Sequence, residues 1–184
     1  MSQPPPTDQA IHVRVWQELQ RASQDRDHEW RTPVLATSGL DGSVQSRTVV
    51  LRGADGDAQS LVFYTDSRSP KVAQLLAAPM ASLVFWSARL SWQLRVQAAF
   101  SVQVGGAPVD AAWLAVSASA TAAADYLGAE APGERCSDGG VASGDRHHLA
   151  ILTARVRSMD WLELSSHGHR RGLLSGAGVD WLVP

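Results

Sequence analysis

The residues best suited to chemistry in this sequence are two arginines, a lysine and a pair of closely spaced histidines. Arg47 and Arg52 bracket the β-branched, apolar run Thr48-Val49-Val50-Leu51. Lys71 follows Ser69-Pro70, after the run Leu61-Val62-Phe63-Tyr64-Thr65-Asp66. Ser69 has the identity of an N-cap, and proline is tolerated at the first helical position. A lysine in the first turn opposes the helix macrodipole, which favours negative charge there. A cation beside free helix N–H groups and near other arginines suggests an anion such as phosphate as its ligand. Arg47 and Arg52 are five residues apart, so on a regular strand they point to opposite faces. Without a bulge or bend they form no single clamp. Either one holds a phosphate while the other reaches a different part of the ligand, or both are strand-end arginines in water.

His167-Gly168-His169 has the spacing that puts two rings on one face of a strand, which can be a metal pair. No third ligand accompanies it and Arg170-Arg171 follow at once, so an anion-facing edge is the expectation and no metal is assigned. His147 and His148 are neighbours and point apart. Cys136 is the single cysteine, so no intrachain disulfide can form. With no fixed histidine partner it reads as incidental. The sequence holds no G-x-S-x-G elbow, no G-x-G-x-x-G and no G-x-x-x-x-G-K-[ST], which disfavours a hydrolase and the usual dinucleotide and P-loop routes to a phosphate.

The elements that must position these groups are legible in outline. Residues 1–7 are proline-rich and expected to be disordered. Residues 11–26 read as a helix, with Ile11, Val15, Leu19 and Ala22 at helical spacing and Trp16 beside them. Residues 33–37 read as a strand, Asp41-Gly42 as a hairpin turn and residues 44–52 as the return strand. A third strand is expected over 60–65. A helix follows over 70–78, with Val72, Leu75 and Leu76 on its apolar side and Pro79 ending it. Residues 81–86 form an apolar strand. Residues 91–104 alternate, with Trp92, Leu94, Val96, Ala98, Phe100, Val102 and Val104 on one face and Gln93, Arg95, Gln97 and Gln103 on the other. Helices are expected over 107–116 and within 117–127, and a glycine-rich mobile loop over 128–146. Strands are read at 149–156 and 158–164, then a hairpin turning at residues 175–178. About eight strands with short links favour a mainly antiparallel barrel or sandwich with peripheral helices, an α+β chain that is mainly β.

Composition narrows the class. The length of 184 residues suits one domain spanning the chain, and the net charge of −2 recommends no nucleic-acid partner. No basic-then-apolar leader and no apolar run near the roughly 20 residues of a membrane span is present, so a cytoplasmic protein without a membrane partner is the expectation.

Three pieces carry a family resemblance: Arg47-Thr48-Val49-Val50-Leu51-Arg52, Phe63-Tyr64-Thr65 with Lys71 seven residues after Tyr64, and Gln93-Leu94-Arg95-Val96. Together they resemble the pyridoxamine 5'-phosphate oxidase-related flavoproteins, from about residue 32 to 104, with a weaker echo at 161–171. The resemblance implies an antiparallel, Greek-key split β-barrel and a homodimer with FMN at the subunit interface. It implies that Arg47 and Lys71 hold the FMN phosphate with Ser69 nearby, and that Thr48, Val49, Val50 and Leu51 pass backbone along the flavin. Arg52 stands where lysine is more usual, near the ring and the substrate side. Tyr64 and Thr65 fit the flavin-contacting pair, and Gln93 the glutamine that reaches FMN across the interface. Trp161 and Arg171 match the residues that close over the flavin, and His169 the substrate-side histidine. His167 stands where an arginine is expected and Arg170 where an aspartate is. The segment that should grip a substrate phosphate, residues 115–121, has no basic residue. The resemblance therefore implies a divergent FMN-dependent oxidoreductase acting on a small molecule, with no catalytic acid or base assignable. The alternatives are a flavin- or haem-binding protein without turnover on the same barrel, and an interaction dimer with no cofactor.

Overall fold

The computed structural model describes residues 8–136, 143–166, 168–175 and 178–184. Expectations for residues 1–7, for His167, for residues 137–142 of the loop and for the tip of the last hairpin lie outside the described residues. The chain opens with helix α1 (Asp8–Gln24), whose Ile11, Val15, Trp16, Leu19 and Ala22 are all buried, as their spacing predicts. A short 3₁₀ turn, Glu29–Arg31, places Trp30 in the core.

Strand β1 (Val34–Ser38) turns into β2 (Val44–Thr48) through a tight turn in which Gly42 has φ of 82°, a conformation glycine reaches without strain. The chain continues as β3 (Leu51–Asp55), β4 (Ser60–Asp66), helix α2 (Pro70–Ala77), β5 (Met80–Ser87) and β6 (Trp92–Gln103). Helices α3 (Ala107–Ser117) and α4 (Ala120–Ala124) precede β7 (Leu149–Glu163), β8 (Arg170–Ser175) and β9 (Gly178–Leu182). The sheet runs β2-β1-β5-β6-β7-β4-β3, and β8 pairs with β7 and β9. All the ladders are antiparallel.

Four expectations need correction. The single return strand over 44–52 is two strands: β2 pairs with β1 while β3 pairs with β4, at the opposite end of the sheet. At the break the Val49 N–H donates to the Pro33 carbonyl and the Val49 side chain turns into the core. The Val49-Val50 link therefore ties the two ends of the sheet together and curls it closed. The two strands read at 149–156 and 158–164 are one, β7, with a bulge: Gln97 faces Ser158 and Ala98 faces Val156, leaving Arg157 without a partner on β6. Leu76 and Val104, expected on apolar faces, are 67% and 63% exposed: Leu76 lies on the outer side of α2, and Val104 falls just past the end of β6. The residues 168 and 169 precede β8 and do not lie on a strand, so the one-face geometry of a strand does not apply to His169.

Two apolar clusters result. The larger fills the closed sheet with Leu35, Leu51, Phe63, Phe85, Leu94, Phe100, Leu152 and Trp161, and α1 packs against it. The smaller lies between α3, Tyr126 and the start of β7, with Tyr64, Trp113 and Ile151 at its margin. Tyr64 and Thr65 thus point to opposite faces of β4, and Thr65 is the buried one.

Candidate functional site

Lys71 is the centre of a polar cluster at the start of α2. Its Nζ donates to Thr65 Oγ1 at 2.9 Å and to Ser69 Oγ at 2.6 Å. Ser69 is the N-cap residue by position, but its hydroxyl makes no cap hydrogen bond and serves Lys71 instead. Arg47 reaches the same region from β2. One of its terminal nitrogens donates to Thr37 Oγ1 at 2.5 Å and the other to Gln74 Oε1 at 3.1 Å, and the Thr37 hydroxyl donates to the same Gln74 oxygen at 2.6 Å. Burial lowers the lysine pKa, and repulsion from Arg47 lowers it further against some attraction from Asp66. Burial also lowers the Arg47 pKa.

The hydrogen-bond partners of both cations are neutral oxygens. The neighbouring acid, Asp66, is engaged by Arg68 through both carboxylate oxygens, at 3.1 and 2.7 Å. Arg68 also donates to the Gly128 and Ala129 carbonyls and so fixes the start of the long loop against β4. Two half-buried cations, held in place by neutral groups at a helix N-terminus, form a site shaped for a dianionic oxygen group. The residues present fit the phosphate of a mononucleotide.

Arg52 occupies a separate place. It is the extra residue of a bulge in β3, where Leu51 faces Phe63 and Gly53 faces Val62. Bulges re-aim side chains, and this one sends the guanidinium over the Tyr64 ring, 5.7 Å from its centroid. Its buried Nε has no hydrogen-bond partner among the described residues. Burial raises the Tyr126 pKa while the Arg52 charge pulls it back down. Arg47 and Arg52 therefore occupy separate places, set apart by the break between β2 and β3 and the bulge at Arg52, not by alternation along one strand. Between them Thr48 is exposed, Val49 and Leu51 are buried, and Val50 is half-buried.

The remaining predicted residues lie along the far half of β6, β7 and β8. Gln93 faces Trp86 on one side and Leu162 on the other, and Leu162 faces Arg171. Arg171 forks onto Asp160, with Nε to Oδ1 at 3.0 Å and Nη2 to Oδ2 at 2.8 Å, and Arg95 meets the same carboxylate. Hydrogen bonding from Arg171 holds the Asp160 carboxyl below its usual range. Trp161 is fully buried against Trp92 and Trp181 with Arg170 over its ring, so within one chain it offers no surface to a ligand. Its place on β7 opposite Leu94 turns it into the core. His169 accepts the Ser165 N–H at Nδ1.

Four residues of these clusters escaped the sequence reading: Thr37 and Gln74, which hold Arg47, Tyr126, which faces Arg52, and Asp160. Gln74 lies three residues after Lys71 on α2, one turn away, and that spacing is a usable signal. The other three depend on strand register and tertiary folding.

Comparison with known proteins agrees with this architecture. Residues 13–103 match the family described as pyridoxamine 5'-phosphate oxidase, FMN-binding domain. The pyridoxine/pyridoxamine 5'-phosphate oxidase of Thermosynechococcus vestitus is 46% identical over 63 residues, covering 34% of this chain and 29% of that protein. The enzyme of the same name from a Nostoc species is 38% identical over 86 residues, covering 47% and 38%. The matches thus span well under half the length of these relatives. Two solved structures share the fold over nearly the whole chain. A pyridoxamine 5'-phosphate oxidase-related, FMN binding protein from Nostoc punctiforme has a TM-score of 0.70 at 21% identity, covering 94% of this chain and 96% of that one. PhzG from Burkholderia lata, solved in complex with tetrahydrophenazine-1-carboxylic acid, has a TM-score of 0.72 at 20% identity, covering 98% and 95%. With its antiparallel split barrel and its match over residues 13–103, the chain belongs to the pyridoxamine 5'-phosphate oxidase-related FMN-binding family.

Proposed function

We propose that the protein is an FMN-dependent oxidoreductase that works as a homodimer on a small molecule other than a pyridoxamine phosphate. The observation that carries this reading is the pairing of Lys71 and Arg47 on neutral oxygens at the start of α2. Lys71, Arg47, Thr65 and Ser69 would hold the FMN phosphate. Bound FMN supplies the redox chemistry, while the protein's part is to orient it and set its electrostatics. Arg52, beside Tyr64 and away from the phosphate cluster, would face the ring or the substrate.

A second copy is part of the proposal. Thr65 faces Ala150 near the start of β7, while Arg171 faces Leu162 near its end. Those twelve residues span about 40 Å of strand at about 3.3 Å each, far longer than one FMN. If Gln93 and Arg171 also serve the cofactor, they must come from another chain. The outer row Trp86, Gln93, Leu162, Arg171 and Leu182 offers the surface for it, with Trp86 47% and Leu182 41% exposed.

The test is to purify the protein, release any chromophore by heat and identify it by mass. FMN at about one per chain is the expected result, and its colour should bleach with a suitable electron donor under anaerobic conditions. FAD, or no flavin after reconstitution, overturns the cofactor assignment. FMN that no donor reduces leaves the binding and removes the oxidoreductase.

A further inference from the structure

We infer that Asp160 is a positioning residue for the cofactor: it holds the Arg171 guanidinium in one plane, braced by Arg95, so that a single net positive charge stands beside Gln93. The inference rests on the proposed FMN site and assigns a role there to an acid that belongs to none of the motifs carrying the resemblance.

Asp160 lies on β7 directly opposite Arg95 on β6, and Arg171 approaches diagonally from β8. Two guanidinium groups and one carboxylate leave one positive charge. The acid is the more buried partner, at 15% side-chain exposure against 46% for Arg95 and 30% for Arg171. The carboxylate is thus the base of the arrangement and the guanidinium groups its outer surface. The fork uses the Nε–H and one Nη2–H of Arg171. A guanidinium has five N–H donors in a rigid plane, so the fork fixes where the other three point. A single hydrogen bond would leave the plane free to rotate. Hydrogen bonds from Arg171, then Arg95, lower the Asp160 pKa against the opposing effect of burial and so favour its charged form.

A plain surface ion pair would add only about 0–1 kcal/mol to stability and leave a bound flavin untouched. A positioning role makes a different demand. Reduction of a flavin places negative charge on its ring, so every fixed charge nearby biases the reduction potential. Asp160→Asn removes an anion and keeps the shape, so it should raise the midpoint potential of bound FMN. Arg171→Gln removes a cation and should lower it. Asp160→Glu keeps the charge but displaces the fork, so it should weaken FMN binding severalfold and leave the potential near the wild-type value.

The experiment uses full-length protein loaded with FMN. Potentials are read by anaerobic equilibration with a reference dye, affinities by quenching of FMN fluorescence. Opposite shifts in Asp160→Asn and Arg171→Gln support the inference. An Asp160→Asn protein that binds FMN with unchanged affinity and unchanged potential overturns it. If Asp160→Asn does not fold, Asp160→Glu decides, and wild-type FMN affinity in that variant overturns the inference. Failure of the wild-type protein to bind FMN overturns the proposed function and this inference together, whereas silent variants of an FMN-binding wild type overturn this inference alone.

Discussion

Lys71 is a cation kept half out of water, and this sets its response to pH. Its pKa is lowered by burial first and by Arg47 second. In the window between that lowered value and the ordinary lysine value, the unfolded chain binds more protons than the folded one. Stability of the cofactor-free protein therefore rises with pH through the window, and below it the full penalty of burying the charge is present. FMN affinity has the opposite sign, because a deprotonated amine gives up its ion pair with the phosphate. FMN binding should weaken as pH climbs through the same window. Lys71→Met should cost about 1.5–3 kcal/mol at neutral pH, roughly ten- to hundredfold in affinity, and should flatten the alkaline decline. A fluorescence titration of FMN from neutral to alkaline pH checks both. The residue types at this site were legible because a lysine in a first helical turn is out of place unless an anion is near. Thr37 and Asp160 were not, since each meets its arginine only through a strand register that the sequence does not declare.

At the scale of elements, the junction between α3 and α4 bears on substrate choice. The Ser119 hydroxyl accepts the Ala122 N–H as the cap of α4, and the Ser117 hydroxyl donates to the Leu114 carbonyl. Two of the three hydroxyls between residues 115 and 121 are thus engaged by the helices themselves. A phosphate monoester near neutral pH carries close to two negative charges and needs cations or several donors. FMN-loaded protein is therefore expected to turn over pyridoxamine and pyridoxine 5'-phosphate with a kcat/KM at least about tenfold below that of a true oxidase assayed alongside, the loss of one charged partner. Equal values would mean that the substrate cations come from elsewhere in the fold. Alternation exposed most strands to sequence reading, because Trp92, Leu94, Val96 and Phe100 do share a buried face. It could not reveal that residues 44–52 leave one edge of the sheet for the other, since Val49 and Val50 are as strand-like as their neighbours. The run breaks only where pairing with β1 ends, at the Val49 N–H to Pro33 bond, and Leu51 takes up pairing with Phe63.

At the scale of the whole molecule, the phosphate cluster and the Arg171 row lie near opposite ends of β7, so the shared FMN site proposed above would need two chains. Trp86→Glu places a charge in the exposed row beside Gln93. It should convert a dimer to a monomer and lose FMN binding in the same step, read by light scattering on a sizing column and by absorbance. A monomeric wild-type protein that still binds FMN tightly would overturn the shared site. The mainly antiparallel class followed from short links between alternating strands. That β7 borders β4 along its first half and β8 along its second did not, because which strands meet is decided by closure of the barrel. Among the described residues, no helix is long and apolar enough to cross a membrane.

The unpaired Arg157 has one more meaning. Before it, β7 buries the even-numbered residues Leu152, Ala154 and Val156. After it, the strand buries the odd-numbered Met159 and Trp161. The bulge is a phase shifter between two otherwise regular halves. Residue 157 is thus the one place in this strand where the chain could lose a residue and keep both halves in step. An insertion between Ser158 and Asp160 would put the second half out of phase by one face, turning Asp160 inward and Trp161 outward while leaving the β4-paired half in place.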